Sequence, residues 1–116
     1  MTTRTTRTLG LLLLLLLAAA VPKAQVTFER LLRADREPQN WLTYSGTNQS
    51  QRFSQLTQIT PENVKNLELQ WIFQARSIEK FETTALVVDG IMYTVQAPND
   101  LLALDAATGR TFWMYS

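Results

Sequence analysis

The side chains that could do chemistry are few. Asp89 stands in the pair Asp89-Gly90, Asp100 follows Pro98-Asn99, and Asp105 opens the stretch Asp105-Ala106-Ala107-Thr108-Gly109. Carboxylate oxygens of this kind can ligate a hard cation. Each also has a local structural use, two of them at turns and one in a loop. The 116 residues include no His and no Cys. Zinc ribbons, thiolate clusters, disulfide scaffolds, Cys nucleophiles and Ser/His/Asp triads therefore lack a required residue. With 11 Lys+Arg against 10 Asp+Glu and no basic block, the chain offers little to a phosphate backbone, and no nucleic-acid partner is expected.

Residues 1–24 read as a signal peptide. Arg4 and Arg7 supply a positive start, residues 9–21 are almost purely apolar, and small residues follow at Ala18, Ala19, Ala20 and Ala24. A helix crossing a bilayer core needs about 20 apolar residues, so this run suits a signal h-region better than a span. An exported, periplasmic protein is expected, with cleavage after Ala20 or Ala24. There is no twin Arg and no Cys near residue 20, so export by the general route without a lipid anchor is the simpler reading. Removing residues 1–24 takes away Arg4, Arg7 and Lys23 and leaves the remainder mildly acidic.

The elements that must position the carboxylates follow from pattern. Residues 25–66 form an N-terminal helix and an irregular segment. In residues 26–37, Phe28, Leu31 and Leu32 fall at helical spacing, Thr27 is a candidate N-cap and Pro38 stops the helix. Residues 39–61 are polar with isolated aromatics, and Thr60-Pro61-Glu62-Asn63 signals one helical turn. From residue 67 a sheet is expected. Leu67, Leu69, Trp71 and Phe73 alternate with Glu68, Gln70, Ile72 and Gln74, which predicts a strand. Residues 84–88 and 91–95 flank Asp89-Gly90, a strong hairpin signal because both turn residues can take positive φ. Further strands are expected over 101–104 and 111–115.

Such a four-stranded meander has apolar residues on both faces, among them Val87, Val88, Ile91, Met92, Leu101, Leu102 and Leu104. One helix cannot cover them all, so the sheet expects neighbours above and below. That is the situation of a propeller blade. Trp71 and Trp113 lie 42 residues apart, near the period of about 40 to 45 for a four-stranded blade.

Ala103-Leu104-Asp105-Ala106-Ala107-Thr108-Gly109-Arg110-Thr111-Phe112-Trp113 fits A-x-D-x-x-T-G-x-x-x-W at every fixed position. It resembles the tryptophan-docking motif of the quinoprotein dehydrogenases, eight-bladed propellers that carry pyrroloquinoline quinone (PQQ). Asp105 can accept backbone N–H bonds across the turn, Gly109 supplies positive φ, and Trp113 can stack on a neighbouring blade. Upstream, Asn40-Trp41-Leu42-Thr43-Tyr44, residues 51–60, Asn63-Val64-Lys65-Asn66-Leu67 and Trp71 resemble the start of PQQ-dependent alcohol and sugar dehydrogenases. The helix before them is most similar to the methanol/ethanol dehydrogenase branch.

The resemblance implies an all-β fold, a partial eight-bladed β-propeller with one four-stranded antiparallel blade, preceded by the N-terminal helix and irregular segment. It implies PQQ and Ca²⁺ as cofactors, an alcohol or sugar substrate and a cytochrome-type electron acceptor. Glu82, in Phe81-Glu82-Thr83-Thr84, matches the family segment in which a Glu contacts the quinone. Ala85 departs from the Pro often found there. Blade-docking roles fall to Asp105, Thr108, Gly109 and Trp113. In the family the Ca²⁺ ligands, the catalytic Asp and an adjacent-cysteine disulfide come from later blades, so no catalytic or metal-binding residue is assigned within residues 1–116. The remaining blades are needed for closure, and the isolated chain is expected to be inactive. A non-catalytic propeller of similar repeats, or a small module that pairs its open sheet in trans, would be the other classes.

Overall fold

The computed structural model describes residues 25–116; the expected signal peptide lies outside them. Helix α1 (Phe28–Leu32) is followed by a 3₁₀ turn at Ala34–Arg36 and another at Val64–Asn66. Four strands come next: β1 (Leu86–Val88), β2 (Ile91–Gln96), β3 (Asp100–Asp105) and β4 (Thr111–Tyr115). They form one antiparallel sheet in the order β1-β2-β3-β4.

The sheet forms where the sequence places its turns. Asp89 and Gly90 have φ of 51° and 80°, the paired positive values that match a two-residue turn to the twist of its strands. Gly109 has φ of 70°, and a bulge between Ala103 and Leu104 accommodates the irregular return into β4. The two turns lie at one end of the sheet, where the Ala106 N–H donates to the Gly90 carbonyl at 2.9 Å.

Directly opposed residues share a face. One face therefore carries Val87, Met92 and Leu104, then Thr94, Leu102 and Met114. The other carries Leu86, Tyr93, Ala103 and Trp113. Residues 71–85 lie over the first face, and the N-terminal segment covers part of the second through a cluster of Ala34, Leu42 and Val88 with Val26, Leu31 and Tyr93. Leu102, Ala103 and Leu104 are buried; full burial of a leucine side chain contributes about 1.5–3 kcal/mol. Trp113 and Tyr115 on β4 stay substantially exposed, so the second face is only partly covered. Segments of the same chain thus lie on both faces, on the second only in part.

Two expectations need correction. Residues 67–74 are not a strand: none of the four strands pairs with them. Alternation reports which way side chains face, whereas a strand also needs a hydrogen-bonded partner. The period of two survives in burial from residue 71, where Trp71, Phe73 and Ala75 are half-buried and Ile72, Gln74 and Arg76 exposed. Leu67 and Leu69 are exposed. The helix is also shorter than residues 26–37. Thr27 caps it as expected, its Oγ1 accepting from the Arg30 N–H at 3.2 Å, but a 3₁₀ turn follows at once. Of its apolar residues only Leu31 joins the core, while Phe28 and Leu32 are exposed.

The first helical turn after Thr60 forms as predicted, with the Thr60 carbonyl accepting from the Val64 N–H at 2.9 Å. Residues 39–61 contain no helix or strand, though Trp41 exchanges backbone hydrogen bonds with Val87 at 2.8 and 3.1 Å. That single bridge caps the outer edge of β1.

Candidate functional site

The turn between β3 and β4 is built by Asp105. Its Oδ1 accepts the N–H groups of Ala107 at 2.9 Å and Thr108 at 3.3 Å, and its carbonyl accepts that of Gly109 at 2.8 Å. The Ala107 N–H foremost holds the Asp105 carboxyl below the usual range. Thr108 Oγ1 accepts from the Arg110 N–H at 3.4 Å. The backbone N–H groups expected on Asp105 and the positive φ expected of Gly109 are both present.

The aromatic seated on this turn is Trp71. A Cβ added at Gly109 would lie 2.5 Å from Trp71 Cε3 and 2.7 Å from Cδ2, so the indole occupies the space a side chain would need. Its Nε1–H donates to the Ala106 carbonyl at 3.3 Å. Trp113 sits on β4 opposite Ala103, 45% exposed, with its ring centroid 6.1 Å from that of Tyr93. Sequence reasoning noted Trp71 for its spacing from Trp113 but missed that it docks on the Gly109 turn. The one signal was its place within the alternating run over residues 67–74.

Asp89 is structural in the same way. Arg30 bridges it to Glu37, with Nη1 at 2.9 Å from Asp89 Oδ2, Nη2 on Asp89 Oδ1, and Nη2 at 2.6 Å from Glu37 Oε2. Asn40 links the same partners, donating to Glu37 at 2.7 Å and accepting from the Asp89 N–H at 2.9 Å. The Arg30 guanidinium is the main cause that holds both carboxyls below their usual range. The network ties the N-terminal segment to the β1–β2 turn.

The opposite end of the sheet holds the candidate cofactor residue. Gln96, buried and not singled out from sequence, accepts from the Arg76 N–H at 3.2 Å and donates to Asp100 Oδ2 at 2.8 Å. That bond is the main reason the Asp100 carboxyl is held low. Thr83 Oγ1 meets Thr94 Oγ1 at 3.0 Å and donates to the Val95 carbonyl at 3.2 Å. Phe81, Thr83 and Ala85 line a groove of about 360 Å³ with Trp71, Met92 and Leu104. Glu82 is not part of that lining; its side chain is 76% exposed, 3.8 Å from Lys80 Nζ.

An exposed carboxylate has acceptor capacity for a cofactor's hydrogen-bond donor, so Glu82 fits one contact to PQQ. Calcium is different. Among the described residues no three His, Cys, Asp or Glu side chains gather to hold a metal ion. Asp89, Asp100 and Asp105 are each engaged in separate local networks.

Comparison with known proteins gives a consistent answer. The family model for the glucose/ethanol/alcohol dehydrogenase β-propeller domain, a PQQ family, matches residues 41–116. The dehydrogenase subunit of the quinone alcohol dehydrogenase of Acetobacter aceti is 42% identical over 107 residues, covering 84% of this chain and 14% of that protein. Among solved structures, the quinohemoprotein alcohol dehydrogenase of Pseudomonas putida HK5 superposes with a TM-score of 0.75 at 41% identity, over 78% of this chain and 13% of the other. That of Comamonas testosteroni gives a TM-score of 0.72 at 36% identity, over 79% and 14%. The chain thus spans about one-seventh of the length of these relatives.

Proposed function

This chain belongs to the glucose/ethanol/alcohol dehydrogenase β-propeller family, and on that premise we propose that it is the N-terminal part of a periplasmic PQQ-dependent dehydrogenase. The substrate class is alcohols, with sugars as the wider family alternative. Electrons pass to a cytochrome-type acceptor, a reading supported by relatives named quinohemoproteins. Residues 1–24 serve as the signal peptide, 25–66 as an N-terminal wrap, and 67–116 contribute the first blade.

The observation that carries this reading is the combination of the Asp105–Gly109 turn with the match over residues 41–116. PQQ, when bound, supplies the two-electron oxidation of the substrate hydroxyl carbon. Within this chain Glu82 accepts a hydrogen bond from the cofactor. The Gly109 turn and Trp71 fix the far end of the sheet whose first strand follows Glu82. Ca²⁺, implied by resemblance, draws its ligands from outside the described residues, and no step here runs through it.

A full-length product carrying this segment should reduce an artificial electron acceptor with an alcohol only when PQQ is supplied. The 116-residue chain alone should give no turnover, because the rest of the propeller is needed to enclose a substrate. Turnover by the isolated chain, or PQQ-independent turnover by the full-length product, would overturn the proposal.

A further inference from the structure

Glu82 is exposed and loosely paired, yet a cofactor contact requires its carboxylate to be held in one place. Its neighbour supplies the means. The Thr83 hydroxyl is engaged twice on β2, by the Thr94 hydroxyl at 3.0 Å and the Val95 carbonyl at 3.2 Å. Both partners belong to β2, which is paired on both sides, with β1 and with β3. Thr94 is itself buried. The anchor therefore rests on one of the two central strands of the sheet.

The anchor also sets direction. Phe81, Thr83 and Ala85 line the groove over the first sheet face. In extended chain, successive side chains point to opposite sides, so holding Thr83 toward β2 turns Glu82 away from the groove. No regular strand hydrogen bonds do this work, since β1 begins only at Leu86. The Thr83 side chain takes the place of a ladder bond just ahead of the strand.

We infer that Thr83 is a positioning residue for the cofactor contact of Glu82, fixing the carboxylate through its hydrogen bonds to Thr94 and Val95. This inference rests on the reading of Glu82 as a quinone contact. It assigns Thr83 a role beyond packing, because a valine would fill the same space without the bonds.

The test uses full-length apoenzyme titrated with PQQ, read by the absorbance of the bound quinone, with apoenzyme melting followed in parallel. Thr83→Val should weaken PQQ binding about tenfold, the loss of roughly one hydrogen bond's worth of orientation, while Thr83→Ser should restore it. Glu82→Gln should weaken binding as well, and adding Thr83→Val to Glu82→Gln should cost little more, because the threonine acts through the glutamate. If Thr83→Val disturbs apoenzyme melting, Thr83→Ala, which removes the hydroxyl without new bulk, is read in the same titration. Undiminished affinity in these variants, or an undiminished penalty in the Glu82→Gln background, would overturn the positioning role while leaving the Glu82 reading intact. Unchanged affinity in Glu82→Gln alone would instead overturn the Glu82 reading, and the role of Thr83 with it.

Discussion

The two ends of the sheet are built differently. At the end bearing the Asp105–Gly109 turn, polar groups are engaged locally and an indole lies against glycine. Asp105 takes two backbone N–H groups, Trp71 fills the space over Gly109, and Arg30 spans Asp89 and Glu37. At the other end Thr83 is anchored, but Glu82 next to it points outward with one distant cation. A saturated end holds the fold together. The end with spare acceptor capacity is where a ligand can still be taken up.

The sharpest way to break this contrast is Gly109→Ala. The new methyl would enter the Trp71 ring at positive φ, adding overpacking to left-handed strain, and a loss of about 3 kcal/mol is expected. Urea unfolding of the full-length protein measures it. A loss of only about 1 kcal/mol, on the order of backbone strain alone, would mean that Trp71 does not dock there.

Acid should act on the same end. Asp89, Glu37 and Asp105 have carboxyls held below their ordinary values, by Arg30 for the first two and by the Ala107 N–H for the third. Their folded pKa values are depressed, so their stabilisation is complete above the unfolded values of about 4 and is lost as pH falls through the folded ones. Unfolding midpoints should be flat from neutral pH to about 5 and fall below about 4. In Asp89→Asn the acid slope should be shallower. An unchanged slope would remove Asp89 from the network.

Gly90→Ala sharpens the comparison from the other side. Gly90 also has positive φ, at 80°, but an added Cβ meets nothing within 4 Å. Only the backbone preference is lost, about 1 kcal/mol. If Gly90→Ala were as costly as Gly109→Ala, the ring contact would not be what distinguishes the turns. Smallest of all, Glu82→Gln should leave urea unfolding of the apoenzyme within about 0.5 kcal/mol of the parent, as for an ordinary surface substitution.

Legibility in the sequence followed the range of the interaction. The Asp89-Gly90 turn, the Asp105–Gly109 turn, the Thr27 cap and all four strands of the meander depend on residues a few positions apart, and each was readable. Residues 67–74 misled because alternation encodes facing and not pairing. Trp71 on Gly109 and the Arg76 N–H on Gln96 join residues 20 or more positions apart, and alternation alone does not name the partner of either. Glu82 was reached only through family resemblance: an exposed carboxylate before a strand has no spacing signature of its own.

Whether this chain is one part of a larger propeller enzyme, as proposed, is tested most directly by the intact mass of the natural product. A mass several times the 13.2 kDa of this chain is expected, in a species that retains PQQ. A product at or below 13.2 kDa would contradict it, leaving a single blade with no enclosed site for the quinone.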